Sequence, residues 1–300
     1  MPNNAFDIKI ATSMLNKTKK SLKLEQLNPS EQPKLIILGG QPASGKSSII
    51  NEIKEKYIDI LMLNGDEIKE SYPRYKKLSI EDSDKATELV QPYSNYVVDV
   101  LKAEAADNKL NTLIEGTMRT SKVPLETTDM FIQQGYSVEA FVISCNYLSS
   151  SIGIIERYET ELENKGYGKK VDISKHDEAY NNIPETLDNL VKSNKFANIS
   201  IVTRDGKILA ELAKGDNLVE TYKNHRNTMT YEIYLDVANR INNVSNMMNN
   251  RNASIEEFDC LYKVQQNLKH SLNKISVDSV LDFFEKVDSK LVEQVKKINI

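Results

Sequence analysis

Apolar and polar positions divide the chain into a portion where strands and helices alternate and a portion that is helical throughout. Residues 35–38 form a short, uninterrupted apolar run, the pattern of a strand buried on both faces. Similar runs at 58–63, 112–114 and 137–144 predict three more strands. Apolar residues between the runs recur at helical spacing. Ile49, Ile50, Ile53 and Tyr57 predict a helix to about residue 57, and Tyr72-Pro73 closes a short helix after the second strand. Residues 79–108 read as helical, with Pro92 expected to break the stretch and a new helix to begin near Tyr93. Residues 123–134 predict a helix closed by Gly135, and 149–164 another. A basic, flexible loop is expected at 165–170, then a helix over 174–193 interrupted near Pro184. Asp205-Gly206 between 199–202 and 207–210 predicts a hairpin with a type I′ turn.

From residue 217 strand signals stop. Helices are predicted over 222–248, 254–272 and 277–298, the second opened by a Ser254/Glu257 capping box. The polar, lysine-rich residues 1–32 predict one or two short helices, with Pro29 and Pro33 marking the link to the first strand. The expected organisation is a helical lead-in (1–32), a core (33–215) and a helical extension packed on it (216–300). The fold class is α/β, with a mostly parallel central sheet flanked by helices.

Composition narrows the function. A net charge of −4 offers no basic field for nucleic acid. Two cysteines, Cys145 and Cys260, and three scattered histidines give neither a disulfide framework nor a metal-ligand spacing; both cysteines are expected to pack in the interior. No apolar run is long enough to span a bilayer and the first residues lack a signal-peptide pattern, so a cytoplasmic location is expected, without membrane or nucleic-acid partners.

The candidate chemistry begins where the first strand ends. Gly40, Gly45, Lys46 and Ser47 fit the phosphate-loop pattern, with Gln41, Pro42, Ala43 and Ser44 as the intervening turn and Ser48 following. Such a loop turns successive N–H groups toward phosphate oxygens, and the helix behind it adds its own unpaired donors. Lys46 is placed for the outer phosphates of ATP, and the Ser47 hydroxyl for Mg²⁺. Asp66 lies past the second strand, either as the base for a hydroxyl or as a helix cap. Glu115, Thr117 and Arg119 lie past the third strand; Glu115 is a ligand contact or a structural acceptor, and Arg119 is expected to pair with it. Arg157 is a phosphate clamp or an ordinary partner of Glu156, Glu159 or Glu161. No Asn-Lys pair carries the aspartate of a guanine-reading motif, and strand three ends in Glu115 alone rather than an acidic pair, which disfavours GTPase switches and motor ATPases. A small-molecule kinase fits better.

The run Gly-Gly-Gln-Pro-Ala-Ser-Gly-Lys-Ser-Ser, then Asn-Gly-Asp-Glu, Gln-Pro-Tyr-Ser-Asn, Ile-Glu-Gly-Thr-Met-Arg-Thr and Ile-Glu-Arg-Tyr-Glu-Thr resembles the zeta toxin family of toxin–antitoxin systems, over about residues 5–215. The resemblance implies an ATP- and Mg²⁺-dependent kinase that phosphorylates the 3′-hydroxyl of the amino sugar of UDP-N-acetylglucosamine and so starves cell-wall synthesis. It also implies a small helical antitoxin, expected here as a separate protein because residues 1–32 are too short and polar for a fused one. It makes Asp66 the general base, Arg157 a phosphoryl stabiliser, and Asp99, Glu115, Thr117, Arg119 and Thr127 the sugar-nucleotide site. Three positions depart from the family: Asp99 stands for glutamate, Tyr72-Pro73 for His-Pro, and Lys169 or Lys170 for a second arginine. Of these lysines Lys170 is the catalytic candidate. Lysine lacks the planar fork of arginine, so reduced activity is expected. Two alternatives are a kinase of another hydroxylated metabolite and a regulatory protein that only binds nucleotide.

Overall fold

The computed structural model describes residues 6–276 apart from residue 58. In chain order the elements are α1 (Ile8–Ser21), β1 (Lys34–Gly39), α2 (Lys46–Lys56), β2 (Leu61–Asn64), α3 (Gly65–Lys69), α4 (Tyr75–Glu81), α5 (Ser83–Asp107), β3 (Thr112–Gly116), α6 (Lys122–Gln133), β4 (Ser137–Ile143), α7 (Tyr147–Lys165), α8 (Ile173–Lys192), β5 (Asn198–Val202), β6 (Ile208–Glu211), α9 (Leu218–Asn227), α10 (Tyr231–Asn250) and α11 (Ile255–Ser271).

The strands form one sheet in the order β2-β3-β1-β4-β5-β6, parallel at every pairing except the antiparallel β5–β6 edge. Strand β1 shows why the apolar run is continuous. Leu35 and Ile37 belong to the core on one face of the sheet, Ile36 and Leu38 to the core on the other, as the two-residue period requires. Helix α2 covers the second face with Ile49 and Ile53, while α5, α6, α8 and α9 contribute to the first. The chain moves from β1 to β2 and β3 on one side, then crosses to β4 on the other. The carboxyl end of β1 is therefore the switch point where ligands bind in sheets of this kind.

Several sequence expectations are corrected. Pro92 does not split α5, and Pro184 does not interrupt α8. A helix-interior proline costs about 3 kcal/mol. Around Pro92 the buried stripe Val90, Tyr93, Val97 and Leu101 offsets this, each such side chain being worth about 1.5–3 kcal/mol; Ile183 and Leu187 do the same around Pro184. The hairpin turn is not type I′. Gly206 N–H donates to Thr203 O at 3.1 Å, and only Gly206 has a positive φ (93°), as in a type I turn closed by a glycine bulge. The helix expected over 222–248 is two helices, α9 and α10, with the Thr230 side chain capping the second. Tyr222 fills the sheet core while Val237, Ile241 and Val244 pack elsewhere, so the chain must turn between them. Cys145 is buried as expected, but Cys260 is exposed on α11. The second strand begins at Leu61 rather than residue 58. The Ser254/Glu257 capping box is present. The helix expected over 277–298 lies outside the described residues.

Helices α10 and α11 form a separate apolar cluster against α7, through Leu148 and Ile152. Two arginines lock this contact. Arg240 reaches Glu156 at 2.7 Å and the Ser149 carbonyl at 3.0 Å. Arg251 pairs with Glu159 and with Glu257, each at 2.7 Å. Glu159 is 2% exposed and so depends on its partner. Arg251→Ala is expected to destabilise the fold by about 3 kcal/mol in urea unfolding, because it strands a buried carboxylate. Adding Glu159→Gln should recover part of that loss.

Candidate active site

The phosphate loop joins β1 to α2. Ala43 and Gly45 adopt positive φ (57° and 101°), which curls the backbone. A Cβ on Gly45 would lie 2.4 Å from Arg204 Cγ, so this position needs glycine for space as well as for conformation. The amino end of α2 has no side-chain cap, leaving its N–H groups for a ligand. Lys46 Nζ donates to Gly40 O (2.9 Å) and Gln41 O (3.2 Å) and lies 3.7 Å from Glu115 Oε1. Burial pushes the Lys46 ammonium down from its ordinary pKa, and Glu115 and Asp66 oppose that. Ser47 is exposed and Ser48 Oγ lies 2.8 Å from both Gly45 O and Arg204 O. An open helix terminus, a curled loop and an inward lysine fit a nucleotide's phosphates.

Strand register sets the neighbours of the loop. Glu115 pairs across from Leu38 on one side and Asn64 on the other. Asn64 Nδ2 donates to Glu115 Oε2 at 2.7 Å, so Lys46, Glu115 and Asn64 form one polar row. Asn64 is also the cap of α3, accepting from Asp66 N–H at 2.9 Å. The Asp66 carboxylate is thereby left for other partners. Lys69 Nζ approaches Oδ1 at 3.2 Å, and Lys169 Nζ contacts Oδ2. Burial works to raise the Asp66 pKa, but Lys169 and Lys69 outweigh it and hold the carboxyl well below its ordinary value. Lys69, only 3% exposed, is pushed down by burial and partly held up by Asp66.

Asp66 opens into a cleft of about 190 Å³ whose lining includes Asn64, Glu67, Arg157, Glu161 and Lys169. Burial, then Glu115, raises the Glu67 carboxyl. Glu161 organises the far wall: it accepts from Arg157 Nε at 3.2 Å and from the Lys169 backbone N–H at 2.8 Å. The basic loop is further held by Ser83, which donates to Gly168 O and accepts from Lys170 N–H. Glu156 and Glu159 are taken by the tail arginines, so Arg157 has Glu161.

The structure gathers Lys46, Glu115, Asp66 and Arg157 around the loop and cleft, but not every candidate. Of the two lysines, Lys169 turns into the cleft, whereas Lys170 is exposed and does not line it. Asp99 is exposed on α5 and pairs with Lys102 at 2.7 Å. Arg119 pairs not with Glu115 but with Glu178, at 3.1 Å, because Glu115 is engaged by Asn64 and Lys46. Thr117 is half-buried, and Thr127 is buried in α6 at 6% exposure. Lys69 and Asn64 were missed. Asn64 before a helix start carried a capping signal that could have identified it; Lys69 carried none.

A phosphate loop at the carboxyl end of a central parallel strand, flanked by carboxylates from neighbouring strands, defines the P-loop kinase type of fold. A family model described as Zeta toxin matches residues 18–211, and the chain belongs to that family. It is similar to Toxin zeta of Enterococcus hirae, 32% identical over 178 residues, which are 59% of this chain and 62% of that protein. It is also similar to Toxin PezT of Streptococcus pneumoniae serotype 4, 30% identical over 179 residues, 59% of this chain and 70% of that protein. The match thus spans less than two thirds of the Toxin zeta relative's length. Among solved structures, a chain from the PezAT chromosomal toxin–antitoxin system of Streptococcus pneumoniae aligns with a TM-score of 0.70 at 22% identity, covering 82% of this chain and 100% of that one. A chain of AvrRxo1-ORF1:-ORF2 with ATP aligns at 0.51 and 13% identity, covering 86% of each. Both share the fold.

The direction of the Asp66 shift has a testable sign. A carboxyl held below its unfolded value stabilises the fold above that value, about pH 4, and the contribution is lost as pH falls through the lower folded value. Asp66→Asn is therefore expected to lower Tm at pH 7, with the gap from wild type closing on acidification below about pH 4. A gap independent of pH would exclude the two lysine pairings as its source.

Proposed function

We propose that this chain is the toxin of a toxin–antitoxin pair. It acts in the cytoplasm as a Mg²⁺- and ATP-dependent kinase of the 3′-hydroxyl of the amino sugar in UDP-N-acetylglucosamine, with a separate small helical antitoxin as its partner. The observation that carries the transferase reading is the placement of Asp66. It stands in a cleft past β2, with β3 between it and the phosphate loop, its carboxyl held below its ordinary pKa by two lysines and freed from helix capping. The family assignment and the relatives' names support the toxin reading. Among the described residues no helix is long and apolar enough to cross a membrane.

In this reading residues 40–48 hold the ATP phosphates, Lys46 leaves its two loop carbonyls for phosphate oxygens, and Ser47 would be the protein's ligand to Mg²⁺. That ion, when bound, neutralises phosphate charge. Asp66 orients the acceptor hydroxyl and takes its proton as the oxygen bonds to phosphorus. With two lysines beside it Asp66 is a weak base, so its effect lies in position. An acceptor must displace Lys169 from Oδ2, while Lys69 stays on Oδ1 and keeps the carboxylate aligned. The displaced Lys169 and Arg157 then meet the transferring phosphoryl group; Lys169, rather than Lys170, takes this role. Glu115, Thr117, Arg119, Thr127 and Asp99 remain the proposed acceptor contacts.

One observation favours a second reading. None of Asp99, Glu115, Thr117, Arg119 and Thr127 lines the cleft at Asp66, which suits a different hydroxylated metabolite as acceptor. Incubation with ATP, Mg²⁺ and UDP-N-acetylglucosamine is expected to yield a phosphorylated UDP-sugar by mass spectrometry. Lys46→Ala should abolish the product, and Asp66→Asn should slow it by about 10²–10⁴-fold, the range for loss of a general base. Unmodified UDP-sugars beside a phosphorylated alternative acceptor would overturn the substrate and keep the kinase.

A further inference from the structure

A buried chain of polar groups runs from the phosphate loop to helix α8, and none of the chemistry above uses it. Gln41, Ser150 and His176 are each 0% exposed. Gln41 Nε2 donates to Cys145 O at 3.1 Å and to Ser150 Oγ at 3.3 Å. Ser150 Oγ lies 2.9 Å from His176 Nε2. His176 Nδ1 lies 3.0 Å from Asp177 Oδ1, which also accepts from the Tyr147 hydroxyl at 3.0 Å. Tyr147 meets the imidazole edge-on and Tyr180 stacks along it, with centroids 5.4 and 6.4 Å away.

The donors and acceptors allow an arrangement of protons that completes the row. The Asp177 carboxylate can only accept, so His176 carries its proton on Nδ1. Burial lowers the His176 pKa against the opposing pull of Asp177, which favours the neutral ring with Nε2 bare. Ser150 then donates to Nε2, and its oxygen is free to accept from Gln41. Tyr147 O and Asn146 O, at 3.1 and 3.2 Å, are the competing acceptors for the Ser150 proton. His176 Nε2, at 2.9 Å, is the nearest of the three acceptors.

A serine, histidine and aspartate in this order have the geometry of a nucleophilic triad. That role is closed to them here. Ser150 is inaccessible, lies within α7, and already accepts from Gln41. What the row does reach is the phosphate loop. Gln41 O accepts from Ser44 N–H at 3.1 Å and from Lys46 Nζ at 3.2 Å, so an anchored Gln41 fixes the loop's first turn. We infer that His176 is a positioning residue of the phosphate loop, acting through Ser150 on Gln41 to preform the conformation that receives a nucleoside triphosphate. The inference rests on the reading of the loop as a nucleotide site.

Calorimetric titration with Mg-ATP tests it without need of the acceptor. His176→Phe and Ser150→Ala are each expected to weaken binding about tenfold, the scale of one buried hydrogen bond left unmade. The double variant should bind no more weakly than either single one, since both break the same row. His176→Gln, whose amide oxygen can take the Ser150 proton, should recover most of the affinity. Ser150→Ala removes one oxygen from a helix and keeps the test available if His176→Phe does not fold. Unchanged affinity in the folded variants, or additive losses in the double variant, would overturn the relay while wild-type binding upholds the nucleotide site. Absence of binding by wild type would overturn both.

Discussion

Strand β1 can bury both of its faces only if helices cover the sheet on both sides, and much of the molecule follows from that constraint. Ile36 and Leu38 need α2, while Leu35 and Ile37 need the helices packed on the opposite face. A chain that wraps both faces of a parallel sheet must reverse its winding at some strand, and here it does so at β1. The loop leaving β1 therefore emerges between its neighbours' ends, with α2 running to one face of the sheet and α6, after β3, to the other. The uncapped N–H groups at the start of α2, Asn64 and Glu115 meet there because strand register brings them there.

Charge is then divided so that few groups at this edge are left uncompensated. Asn64 caps α3, which releases Asp66 to face Lys69 and Lys169. On α7 the acidic residues point in two directions. Glu156 and Glu159 meet arginines of the helical tail, while Glu161 meets Arg157 and the backbone of the basic loop. Helices α10 and α11 thus contribute to the cleft without lining it among the described residues, by removing two competitors for Arg157. Gly153 allows the same helix to lie against the phosphate loop. A Cβ there would come 2.9 Å from Ala43 Cβ and 3.0 Å from Arg240 Nη2. Loop, α7 and tail are in this sense one packed unit.

Much of the fold and part of the site could be read from the residues alone. The continuous apolar runs, the phosphate-loop spacing, the Ser254 capping box and the alternation of strands with helices are local signals, and each corresponds to an observed element. The errors came where a local preference met a tertiary demand. Pro92 and Pro184 break isolated helices, but a buried stripe on either side keeps α5 and α8 continuous. One helical pattern became α9 and α10 because its two halves pack on different cores.

The sequence by itself determined which groups recur at strand or helix period and where the phosphate-loop motif lies, because these depend on residues close together in the chain. Only the tertiary structure decided which charges meet. That Lys169 rather than Lys170 turns toward Asp66, that Arg119 joins Glu178, and that His176 reaches Gln41 through Ser150 depend on elements far apart in sequence. An ion pair or a buried hydrogen bond has no periodic signature. It forms where packing removes water and leaves one partner within reach, and that is settled only once the helices have docked on the sheet.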